Sequence, residues 1–184
     1  MEHQAHPAAD DAAPSAGLIP TAGQAVVRTL PTCAVTVISM PLLASLLPQD
    51  AAEQRTPWEL LVLVVVFALM VVVHRLAKAP RPRPDQKILK AQWKPAFASA
   101  AASRSLPRHP DVRIAAGVAA INVIEGFLLM VAVLLGMVLC EFLRPELSWW
   151  VPAGILLVGA IASAVRLRSG WTYLKVLHAD DQAH

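Results

Sequence analysis

The sequence predicts an all-α, polytopic membrane protein: four transmembrane helices in two antiparallel hairpins, with a basic cytoplasmic loop between them. Three observations carry that reading. Apolar residues fill 56% of the 184 positions and charged residues only 16%, whereas soluble domains carry about a quarter charged residues. The apolar residues gather into four long runs. Ten of the sixteen Lys and Arg fall in one connection, residues 75–113.

The first run, 29–47, is long enough to cross a ~30 Å hydrocarbon core at 1.5 Å per residue. Pro31 and Pro41 interrupt it, and Thr32, Thr36 and Ser39 dilute it. Prolines are tolerated in membrane helices where Ser/Thr side chains or neighbouring helices satisfy the freed carbonyls. A kinked helix is expected, with a re-entrant segment as the alternative. The stretch before it is long, contains acids and holds a single basic residue, Arg28. It does not read as a cleaved signal peptide.

The second run, 58–78, follows a helix-start signal: Thr56 as N-cap, Pro57 at the first helical position and Glu59 to close a capping box. The third, 114–143, is longer than a perpendicular crossing needs. The fourth, 147–168, follows after only three residues, which forces a hairpin. Trp149 and Trp150 are placed as aromatic anchors at one interface, and Arg166 and Arg168 as basic anchors at the other.

Basic residues set the orientation. Against ten in 75–113, the other two connections hold only Arg55 and Arg144. The positive-inside rule puts the large loop, and with it both termini, in the cytoplasm. The chain then divides into a disordered tail at 1–28, a first hairpin at 29–77 and the basic loop at 78–113. A second hairpin at 114–167 and an amphipathic tail at 168–184 complete it. Small size and an Ala/Arg/Pro-rich composition suggest a bacterial inner membrane.

Within the third run stands a carboxylate, Glu125. Counted back from Glu141 at the outer boundary it lies about 24 Å along the helix axis, some 6 Å above the inner edge of a ~30 Å core. Asn122 precedes it by three residues, on the same helix face. His74 and Arg75 end the second run and Arg166 ends the fourth, all at similar depth. At that depth, with cations near, Glu125 is expected to pair with Arg75 or Arg166 and fix how the helices dock. The alternative role is a proton- or cation-binding carboxylate, the default reading of an acid inside the bilayer.

The basic loop opens on alternating prolines, which hold a chain extended. After them Ile88, Leu89, Trp93 and Phe97 share one half of a helical wheel and Lys87, Lys90 and Lys94 the other. That pattern suits a short helix on the membrane surface, with Trp93 anchored and Lys87, Lys90 and Lys94 facing anionic lipid headgroups. A solvated basic loop is the plainer reading. In the tail, Trp171, Leu174 and Leu177 make an apolar stripe for the bilayer or a partner, and Gly170 offers a turn. Small residues at spacing four, such as Ala116 and Ala120 or Gly159 and Ser163, allow close helix approach. Cys33 and Cys140 stand far apart in apolar runs, without metal-ligand spacing, and read as packing residues.

No phosphate loop, zinc-protease motif, nucleophile elbow or dinucleotide fingerprint occurs. The sequence names no catalytic, cofactor-binding or metal-ligating residue, and no nucleic-acid fold. It points to a non-catalytic accessory or assembly subunit, held in the lipid bilayer beside a protein partner or further copies of itself. A small oligomeric transporter or channel using Glu125 is the second class. A membrane-perturbing, holin-like protein is the third.

Overall fold

The computed structural model describes residues 19–48, 58–77 and 86–182. Among them are five helices and no strand: α1 (Ala22–Ser45), α2 (Trp58–Ala77), α3 (Gln86–Ser103), α4 (Pro110–Leu143) and α5 (Trp150–Gln182). All but α3 are long and apolar enough to cross a membrane. The expected tail up to residue 18 and the Thr56–Pro57 helix start lie outside the described residues.

α1 begins earlier than the apolar run suggests. Thr21 and Gln24 form a reciprocal capping box, the Gln24 N–H donating to the Thr21 hydroxyl at 3.2 Å and the Thr21 N–H to the Gln24 side chain at 3.0 Å. From there the helix runs unbroken through Pro31 and Pro41. Its buried residues are Ala22, Ala25, Thr29, Thr32, Thr36, Met40 and Ala44. They fall three or four apart, so they form one stripe. The threonines that dilute the run are therefore its packing face, in keeping with membrane interfaces rich in small residues. Thr29 and Thr36 donate their hydroxyls back to the carbonyls of Ala25 and Thr32, each at 2.8 Å.

α1 lies along α4. Ile19 packs on Gly117 and Met40 on Gly136, and at both places a side chain on the glycine would collide with its neighbour. α5 lies along the other side of α4: it starts where the Glu141 carboxylate accepts the Trp149 N–H at 3.3 Å. Further along, Met130 neighbours Gly159, and Gly170 comes against the Ala120 backbone. Near the far end the Tyr173 hydroxyl donates to the Arg113 carbonyl at 3.2 Å. Among the described helices α2 brings its backbone close to α1 alone, and reaches α4 only through side chains such as His74.

α4 and α5 have 34 and 33 residues, about 50 Å each at 1.5 Å per residue. That exceeds a ~30 Å core by some 20 Å. The surplus carries α3. Ala96, Phe97 and Ala100 of α3 are buried in one core with Ile19, Ala25, Ala116, Ala120, Ile124, Tyr173, Leu174 and Leu177. A second core gathers Met40, Ala44, Val62, Val66, Met137, Cys140 and Trp149 at the opposite end, beside the 144–149 connection.

The Trp149–Trp150 pair divides: Trp149 is buried and Trp150 is exposed. α5 stays helical through Gly170 to Gln182, so Gly170 is a point of close approach rather than a turn. Leu174 and Leu177 of the expected tail stripe are spent on the α3-end core.

Candidate functional site

Among the described residues that are buried, the one with an ionisable carboxylate is Glu125, whose side chain is 5% exposed. α4 delivers it: Ile121, Ile124 and Glu125 lie on its buried face, while Asn122 is turned out to an exposed position. His74, in the last turn of α2, brings its Nε2 to 3.5 Å from the Glu125 carboxylate. The His74 side chain is 20% exposed, and its buried Nδ1 has no hydrogen-bond partner among the described residues. Arg75 and Arg166 stand exposed. Depth along a helix could nominate all of these residues from the sequence. The rotation of α2 about its axis, which brings His74 to Glu125 and leaves Arg75 exposed, is set by tertiary packing, with Val62 and Val66 turned into the core.

A groove of about 640 Å³ opens beside this pair. Leu63, Phe67 and Met70 of α2 form one wall, Gly126, Met130 and Met137 of α4 the floor, and Pro152 and Ile155 of α5 the other wall. Its lining is apolar. It runs from the 144–149 end towards the His74–Glu125 pair and stops at Gly126 and Met70, next to Glu125 and one turn short of His74. A side chain added at Gly126 would meet nothing within 4 Å.

If His74 and Glu125 act on each other, their substitutions are non-additive. In a double-mutant cycle with His74→Ala and Glu125→Gln, thermal unfolding in mild detergent is expected to show coupling of about 1 kcal/mol. Additive losses would mean that the two side chains are neighbours without an energetic link.

The surface-helix residues fall as follows. Trp93 is half-buried, its ring edge-on to Phe97 at 5.2 Å, and Lys94 is exposed with its ammonium 5.7 Å from the Trp93 ring. The side chains of Lys87 and Lys90 lie outside the described residues. The apolar half of the wheel that includes Trp93 and Phe97 thus faces α4 and α5 in this part of α3.

Two polar clusters escaped the sequence reading. Arg144 donates from Nη1 to the Ala44 and Leu47 carbonyls, each at 3.1 Å, from Nη2 to the Pro48 carbonyl at 2.9 Å, and from Nε to Glu146. Its own backbone hydrogen bond, and then Arg144, hold the Glu146 carboxyl below the usual glutamate range. At the other end, His178 sets Nδ1 at 2.8 Å from the Leu174 carbonyl and Nε2 at 3.1 Å from the Ile19 carbonyl. Arg113 reaches the Pro107 carbonyl at 2.6 Å and Asp180 at 3.4 Å. Five of these contacts join residues 67 to 159 positions apart in sequence, so spacing alone could not flag them. No group of three or more metal-ligating side chains occurs among the described residues.

No protein-family model, no curated protein and no solved structure matches this chain.

Proposed function

We propose that the protein is a non-catalytic accessory or assembly subunit of a larger membrane complex, and that the α3 end is its docking head. The observation that carries this reading is the 20 Å surplus of α4 and α5, spent on holding α3 in a packed core. A basic loop with no task beyond topology does not need an aromatic core of Phe97, Trp93 and Tyr173. In the proposed arrangement α1–α2 and α4–α5 are two antiparallel hairpins in an inner membrane. The positive-inside rule then puts the head and both termini in the cytoplasm. Arg104, Arg108, Arg168 and Lys175 are exposed there. Arg104 and Lys175 also line a depression of about 560 Å³ with Thr172, Val176, Ala179 and Asp180. A basic rim around a shallow apolar floor suits an acidic protein surface, where charge sets partner choice and encounter rate.

The test is the native mass of the gently solubilised protein. A companion at fixed stoichiometry is expected, and Arg104→Glu with Lys175→Glu should release it while the protein stays folded. A mass that corresponds to the chain alone, or to copies of it alone, overturns the proposal.

The buried His74–Glu125 pair supports a second reading, a small oligomeric transporter or channel. Under that reading Glu125→Gln abolishes proton or cation flux in proteoliposomes without impairing insertion.

A further inference from the structure

We infer that the groove between α2, α4 and α5 is a binding site for an anionic phospholipid, with one acyl chain in the groove and the phosphate at Arg75 and Arg166. The site stands whether or not the α3 end docks a partner.

Size excludes another helix as the occupant. The floor runs from Gly126 to Met137, about 16 Å at 1.5 Å per residue. A volume of about 640 Å³ over that length leaves a cross-section of roughly 40 Å², half that of a helix about 10 Å across. A single hydrocarbon chain fits, and the lining is apolar.

Helix register brings two arginines to one end of this groove. On α5, Gly159 neighbours Met130 and Gly170 lies against Ala120. Arg166, between them, is therefore level with residues 123–124 of α4, within one turn of Gly126. It follows Gly159 by seven positions, about two turns, and so shares the face that meets the groove residue Met130. On α2, Arg75 adjoins His74, whose ring reaches Glu125. It follows the groove residue Val64 by eleven positions, about three turns, which puts it on the same face. Both arginines are exposed, and neither has an ion-pair or hydrogen-bond partner among the described residues.

Charge then fixes the headgroup and the direction of the lipid. The large exposed apolar side chains of α5 run from Trp150 to Val165 and stop at Arg166. Its guanidinium thus stands at the edge of the hydrocarbon, where lipid phosphates lie. A planar guanidinium suits a phosphate, which it can bind through two parallel hydrogen bonds. Glu125, buried beside His74, offsets at most one of the two guanidinium charges, so this end stays positive. At the opposite end Arg144 is committed to three backbone carbonyls and Glu146. The positive-inside rule puts the Arg75–Arg166 end in the cytoplasmic leaflet, the one that carries anionic lipid.

The test is native mass spectrometry of the full-length, delipidated protein, titrated with phosphatidylglycerol and with phosphatidylcholine of the same acyl chains. The first phosphatidylglycerol is expected to bind at least tenfold more tightly than the first phosphatidylcholine. Arg75→Gln with Arg166→Gln should reduce it to the phosphatidylcholine level. Gly126→Leu, which fills the groove and leaves both arginines in place, should weaken both lipids by a similar factor. All three positions are exposed, so these variants keep the packed bundle. Glycerol phosphate, a headgroup without chains, should not displace the bound lipid even in excess. Equal affinity for the two lipids overturns the proposal. So does a preference that survives the loss of both arginines, or binding indifferent to Gly126→Leu, since either puts the lipid elsewhere on the surface. Displacement by glycerol phosphate would make the ligand a free phosphate and overturn it too.

Discussion

Phe97→Ala is expected to lower stability by about 3–4 kcal/mol, the usual cost of emptying a buried phenylalanine site. It should also detach α3 from the bundle. Phe97 is 4% exposed and stands between two rings: Trp93 at 5.2 Å, edge-on, and Tyr173 at 5.5 Å, tilted by 38°. Such ring pairs add about 0.5–1.5 kcal/mol beyond the area they bury. The neighbours cannot readily collapse into the void. Ala96 and Ala100 are too small to fill it, and Tyr173 is tied through its hydroxyl to the Arg113 carbonyl. Limited proteolysis of the intact protein reads the effect directly. Cleavage within 86–109 should accelerate by at least tenfold while the α1, α2 and α5 fragments persist. Unchanged cleavage would mean that α3 is held by something other than this stack, and the docking head would lose its basis.

Arg144→Ala should cost about 3 kcal/mol, two or three charged hydrogen bonds' worth after allowance for non-additivity. One guanidinium serves the Ala44, Leu47 and Pro48 carbonyls at and just past the end of α1, the first of them shared with the Leu47 N–H at 3.3 Å. Its side chain is only 12% exposed, so water replaces it poorly. Arg144→Lys should recover less than half of the loss, because an ammonium cannot match a planar fork that spans three acceptors. Thermal unfolding in detergent measures both variants.

The same end of the bundle should be acid-sensitive. Glu146 has a lowered pKa in the folded chain, so its contribution is complete above the ordinary glutamate value. It is lost as the pH falls through the lowered one. The gap between Arg144→Ala and the unaltered protein should therefore narrow in acid. A gap independent of pH would remove Glu146 from the account.

How much of this was legible beforehand follows from what each feature depends on. Four membrane-length apolar helices were, because a backbone in lipid must satisfy its own hydrogen bonds and long apolar runs have few other solutions. The special standing of Glu125 was legible too, since a carboxylate within such a run is conspicuous without any neighbour. Local rules failed where tertiary contact overrode them. Thr29, Thr32 and Thr36 weaken the first run on any hydropathy scale, yet they form the stripe that meets α4. Gly170 resembles a breaker and serves as a contact.

Composition and periodicity thus decided the helical class, the number of apolar spans and the basic character of one connection, for these depend on each residue's own transfer energy. Only the tertiary structure decided which face of each helix turns inward. That choice rests on small steric matches between helices, such as Ile19 on Gly117, Met40 on Gly136 and Gly170 on Ala120. In lipid the hydrophobic effect does not distinguish one apolar face from another, so close packing and a few polar ties make the selection. It brings His74 to Glu125, folds Phe97 against Tyr173, and holds the α2 backbone away from those of α4 and α5 with a groove between them.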